Sequence, residues 1–157
     1  MTFEEIPERI KEQLEAMVRA ALPEVAGVYK DRTDPGGFQR PAVLLYVGAA
    51  REAGMDRETV AVAYDVTVTG LVTVANDMRS HFPALDRLGS GLLACFLVPS
   101  IEVGGLRMDK GPAALDLRSM DGAEVTFTLT TRLERSSLPG QETETATMME
   151  HLHTNHL

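Results

Sequence analysis

"ETVAVAYDVTVTGLV", Glu58–Val72, alternates over almost its whole length: Val60, Val62, Tyr64, Val66 and Val68 fall on one side, and Thr59, Ala61, Ala63, Asp65, Thr67 and Thr69 on the other. Successive side chains of a strand point to opposite faces, so this period predicts a long strand with one face in a core. A second stretch repeats the pattern. In "MDGAEVTFTLTTRLE", Val125, Phe127, Leu129 and Leu133 share an apolar face, while Glu124, Thr126, Thr128, Thr130 and Arg132 share the other. The Asp121-Gly122 pair before it reads as a turn.

The second faces are unusual in kind. A strand with one wet face ordinarily carries Lys, Glu and Arg there, whereas these carry small side chains and hydroxyls. Thr is a good strand residue and Thr–Thr cross-strand pairs are favourable, so one reading is a solvated face. The other is a face that packs on a neighbouring copy. Small residues allow close approach, and hydroxyls satisfy one another without full charges having to be desolvated. Both readings stand on the sequence.

Outward from the first strand, "AVLLYVG" (42–48) is apolar on both faces and reads as a central strand, and "VAGVYK" (25–30) as a short one. The segments "DRTDPGGFQRP" and "AAREAGMDRET" read as polar loops. Near the N-terminus, Ile10, Leu14, Met17, Val18, Ala21 and Leu22 recur at three- and four-residue steps, which predicts an amphipathic helix ended by Pro23. Its start carries two competing signals: Thr2 with Glu5 spells a capping box, and Pro7 suits a first helical position, which is the preferred start.

After the long strand, Val74, Met78, Phe82, Leu85, Leu88, Leu92 and Phe96 keep helical spacing. Pro83 within this run predicts two helical pieces meeting near Phe82–Pro83. Short strands are expected around Ile101–Val103 and Ala114–Arg118. From Arg135 the periodicity is lost. The expectation is a single α+β domain over residues 1–134, in which helices cover one face of a mixed or antiparallel sheet, and a flexible or partner-ordered tail over 135–157.

Composition narrows the functional classes. The chain has 157 residues, 44% hydrophobic and 24% charged, with no Trp and a formal charge of −8. That size and balance suit one globular domain. The acidic balance argues against specific nucleic-acid binding, which needs a basic footprint. No hydrophobic leader and no apolar run of membrane-spanning length is evident, so no membrane role is expected. The single Cys95 lies in "GLLACFLV" and reads as a buried small hydrophobe. His81 reads as a core or interface histidine. His151, His153 and His156, beside Glu150, are weak metal candidates in a segment with no scaffold to fix their geometry. There is no nucleophile elbow, phosphate-binding loop or dinucleotide fingerprint. Neither catalytic residues nor a cofactor are expected.

The layout as a whole resembles a known family. A short helix ends in "ALP". A Pro-led strand "RPAVLLYVGAA" precedes the loop "REAGMDRET" and the long strand "VAVAYDVTVTGLV". A helical segment containing "FPALDRL" leads through a Gly-rich stretch to "AEVTFTLTTRLE". Over roughly residues 7–134 this order is similar to the tail terminator proteins of tailed bacteriophages, the lambda-type minor tail protein U group and its relatives in Mu-like phages and prophages. The resemblance implies an α+β subunit that is not an enzyme. It implies a homo-oligomeric ring, a hexamer, which caps the tail tube protein and meets the head-completion or neck protein. Such a protein is a virion component of the tail or neck, assembled in the host cytoplasm, and DNA passes through its lumen. Under that reading Arg40, Arg51, Arg57, Asp65, Thr67, Thr126 and Thr128 are the expected subunit or ring contacts. Other tail tube and head–tail joining proteins share related α+β folds and remain open, as does a small ligand-binding domain or enzyme with a pocket near His81 and Cys95.

Overall fold

The computed structural model describes residues 1–30, 39–73, 78–117 and 122–140. Among these, two α-helices and eight strands form an α+β fold with one mixed sheet. The elements are α1 (Ile6–Ala21), β1 (Gly27–Tyr29), β2 (Ala42–Val47), β3 (Arg51–Met55), β4 (Thr59–Leu71), α2 (Met78–Cys95), β5 (Ser100–Val103), β6 (Leu106–Lys110), β7 (Ala114–Asp116) and β8 (Gly122–Glu134). The two alternating stretches are β4 and β8. They pair antiparallel along their full length, from Thr59 opposite Glu134 to Leu71 opposite Gly122. β2 and β3 share the other edge of β4, while β6 and β7 share the other edge of β8. β1 runs parallel to β2, and β5 closes the opposite side through β6.

Both start signals of α1 are used. A 3-10 turn, Phe3–Glu5, precedes it, with the Thr2 amide donating to the Glu5 carboxylate at 3.4 Å, and Pro7 then sits in the first turn of α1. Its apolar stripe, Ile6, Ile10, Leu14 and Val18, is buried.

Several expectations need correction. α2 is one continuous helix rather than two pieces. Pro83 is the sixth residue of the helix and is exposed, so the ladder bond it removes, to the Arg79 carbonyl, lies toward the N-terminal end and the helix continues past it. The inward row of that helix begins at His81, which is fully buried, whereas Phe82 is 48% exposed. Leu85, Leu88, Leu92 and Phe96 are buried as the spacing required, and Val74 and the Met78 side chain lie outside the described residues. Arg51–Met55, read as loop, is strand β3. It pairs with β4 through a bulge between Glu52 and Gly54. Strand β6 was not anticipated: Gly104 and Gly105, at φ 53° and 85°, form a two-residue turn that folds Leu106–Lys110 back on β5. β2 is a central strand as read, between β1 and β4, with Val43 and Leu45 buried, although Tyr46 on its other side is half exposed.

The core lies between the two helices and the sheet face carrying Val60, Val62, Tyr64, Val66, Val68, Val125, Phe127 and Leu129. Past Glu134 a 3-10 turn, Arg135–Ser137, brings Leu138 against this core, so the packed body extends beyond the last strand. The Asp121 turn residue and residues 141–157 lie outside the described residues.

Tyr64 is fully buried, and among the described residues no group hydrogen-bonds its hydroxyl. Burial accordingly pushes the phenol's pKa up, because the charged form is the one the core disfavours. An unsatisfied buried donor costs about 1–3 kcal/mol. Tyr64→Phe is therefore expected to stabilise the fold by about 1–2 kcal/mol. Thermal unfolding at neutral pH checks this as a melting temperature raised by several degrees.

Candidate interaction surface

Strand register determines what shares the other face. Residues directly opposite in a ladder point the same way. Three rows follow. Tyr46, Thr67, Thr126 and Ala114 form one across β2, β4, β8 and β7. Asp65 and Thr128 form the next, between Gly48 and Gly111, whose amides donate to the Asp65 and Thr128 carbonyls at 2.8 Å each. Arg51, Ala63, Thr130 and Asp109 form the third. α1 and α2 both pack on the core face, so no described helix crosses this one.

Its centre is a charge cluster. The Arg51 guanidinium donates to both oxygens of Asp65, at 3.3 and 3.0 Å, and the Thr128 hydroxyl donates to the same carboxylate at 2.9 Å. Those bonds hold the Asp65 carboxyl below the usual carboxylate range. A second cluster marks the far end. Asp56 accepts the Thr59 and Glu58 amides and the Thr59 hydroxyl, and Arg132 reaches both Asp56 (3.3 Å) and Thr59 (2.9 Å). The bonds from Thr59 come first in lowering the Asp56 pKa. Between the clusters, Ala61 and Ala63 are 8% and 1% exposed, their methyls sunk below taller neighbours. Exposed ion pairs of this kind add little stability, about 0–1 kcal/mol. They do leave a face whose central charges are already neutralised.

The structure thus brings Arg51, Asp65, Thr67, Thr126 and Thr128 onto one surface. Arg40 and Arg57 are not part of its clusters. The Arg40 guanidinium donates to the Val72 carbonyl at 3.0 Å, and Arg57 takes part through its carbonyl, which accepts from Arg135 at 3.4 Å. Sequence reading missed Tyr46, Asp109 and Ala114. For Tyr46 the signal was the alternation with the buried Leu45; for Asp109 none existed until β6 was known.

The enzyme alternative gains no residues. His81 is enclosed, and burial pushes the Cys95 thiol pKa up, away from nucleophilic chemistry. Two clefts are described. One of about 750 Å³ is lined by Met1, Phe3, Gly104, Leu106, Leu133 and Pro139, and one of about 260 Å³ by Glu24, Pro41, Val72, Ala84, Arg87 and Leu88; neither is lined by His81 or Cys95. Among the described residues no three His, Cys, Asp or Glu side chains could hold a metal ion, and His151, His153 and His156 lie outside them. No described helix is long and apolar enough to cross a membrane.

No family model and no curated protein matches this sequence. One solved structure, which carries no functional description, is similar over 85% of this chain and 96% of its own, at 18% identity and a TM-score of 0.40. A likeness at that level carries no argument about this chain.

Proposed function

We propose that this protein is a structural subunit of a tailed-phage or prophage particle, a tail terminator that closes into a hexameric ring. The ring caps the tail tube and offers a surface to the head-completion proteins. The observation that carries this reading is the sheet face of β2, β4, β8 and β7. It has no described layer over it, it is tiled with Thr and Ala, and its central charges are internally neutralised. Small side chains let a neighbour approach closely, and charges already paired lower the cost of covering them, which suits an assembly subunit. The order of elements along the chain, on which the family resemblance rests, supports the same reading. The formal charge of −8 suits a lumen through which DNA passes without being gripped.

Light scattering on a size-exclusion column, across a concentration series, tests it. The expected mass is six copies, or a multiple of six that does not grow further. Open-ended growth would move the assignment to a tube protein, and a concentration-independent monomer that leaves purified tail tubes uncapped would overturn it.

A further inference from the structure

We infer that the open sheet face pairs with the same face of a second copy, about a two-fold axis running along the β4–β8 ladder. The inference goes beyond the ring reading and does not require it; with this face taken by the two-fold partner, the side-to-side contacts of a ring fall on other surfaces and two paired rings hold twelve copies. A two-fold along the strands reverses their order in the facing sheet. It sets the β2–β3 edge of one copy over the β6–β7 edge of the other, and keeps each row over itself.

The rows through Tyr46 and Arg51 then match in charge and size, whereas in the row beyond Tyr46 the two-fold sets Leu44 over Asp116 and Thr69 over Glu124. In the third row Arg51 lies at one end and Asp109 at the other, so Arg51 of each copy meets Asp109 of its partner. Asp109 is exposed, and no ion pair reaches it among the described residues. Arg51 keeps its bonds to Asp65 and gains a second carboxylate, which suits a guanidinium with five donors. In the first row the half-exposed Tyr46 lies over the small Ala114, and Thr67 over Thr126. One row beyond Arg51, the low Ala61 lies over Arg132. Tall over short and plus over minus recur at both edges, as an isologous contact requires. Aligned packing of two twisted sheets at about 30° keeps these rows in register nearest the axis.

Charge reversal tests this directly. Arg51→Glu and Asp109→Lys are prepared separately and mixed, with each mass read by light scattering at one concentration. Both side chains are exposed, and the pair that Arg51→Glu takes from Asp65 is an exposed one that adds little stability, so the fold is retained; Asp109→Lys, which breaks no pair among the described residues, is the cleaner of the two. Alone, each variant sets like charges over each other twice, and its mass is expected to fall to half that of the wild type. Mixed in equal amounts, the new carboxylate of the Arg51→Glu chain meets the new ammonium of the Asp109→Lys chain. The native pair forms at the second site, so the wild-type mass returns. Singles that keep the wild-type mass, or a mixture that stays at half, would overturn the pairing. A six-copy mass unchanged in all three samples would remove the pairing and leave the terminator ring standing. Rescue by mixing, in a protein that leaves tubes uncapped, would keep the pairing and remove the ring.

Discussion

Replacing Phe96 with alanine is expected to cost about 3–5 kcal/mol of folding stability. The residue follows directly on α2 and is fully buried. Its ring lies 5.1 Å from that of Phe127, tilted by 37°, and the Lys110 ammonium stands 5.6 Å from the Phe127 centroid. Phe127 in turn is opposite Val66 in the central ladder. The Phe96 ring therefore ties the end of α2 to the middle of the sheet. Aromatics are only 5% of the chain, so few other side chains can fill the volume left behind. Urea unfolding should show the midpoint falling with little change in slope, since the surface exposed on unfolding changes little.

Gly70→Val should also loosen α2 from the sheet, by overfilling rather than emptying. Gly70 lies on the core face of β4, opposite Ala123. A Cβ there would stand 2.7 Å from Leu92 Cδ1, 2.9 Å from Leu88 Cδ2 and 3.0 Å from Leu88 Cγ. Leu92 and Leu88 are 0% and 6% exposed, so neither can swing into solvent. Valine adds two further methyls to that clash, and α2 must lift from the sheet. The expected cost is about 2–3 kcal/mol, read as a lowered urea midpoint. Gly54→Val serves as the control. A Cβ at Gly54 would meet only Ala61 Cβ at 3.9 Å, so that variant should unfold close to the wild type.

β4 and β8 were legible because each buries one face and leaves the other open, and that is the condition under which a period of two appears. Strand β3 was not, because its side chains are almost all exposed and only its backbone is needed to extend the sheet along β4. Strand β6 depended on the Gly104–Gly105 turn, whose glycines read as turn residues without showing what they joined. Pro83 misled because its cost depends on its distance from the helix start, and that boundary is not written in the sequence. The inward reading of Phe82 failed for a related reason, while His81, read as a core or interface histidine, is buried. Hydrophobicity favoured Phe82 for the inward position, but the helix phase set by Leu85, Leu88 and Leu92 gives it to His81.

The open face was partly legible. Thr67, Thr126 and Thr128 followed from alternation alone, and Asp65 from its place among them. The bond from Arg51 to Asp65 required β3, which the sequence did not reveal as a strand. Arg40 was singled out for its charge, yet its guanidinium is engaged with the Val72 carbonyl. Arginines in loops carry no periodicity, so nothing in the sequence separates one held by the backbone from one presented on a face.

Ending a tail tube is the activity proposed for this protein, and tube growth measures it most directly. Tube subunits of the same phage element can be polymerised in vitro with and without the purified protein, and tube lengths and ends measured by electron microscopy. Tubes are expected to stop growing once the protein is added, each with a ring of extra density at one end. Tubes that lengthen at the same rate in its presence, with bare ends, would contradict the terminator role.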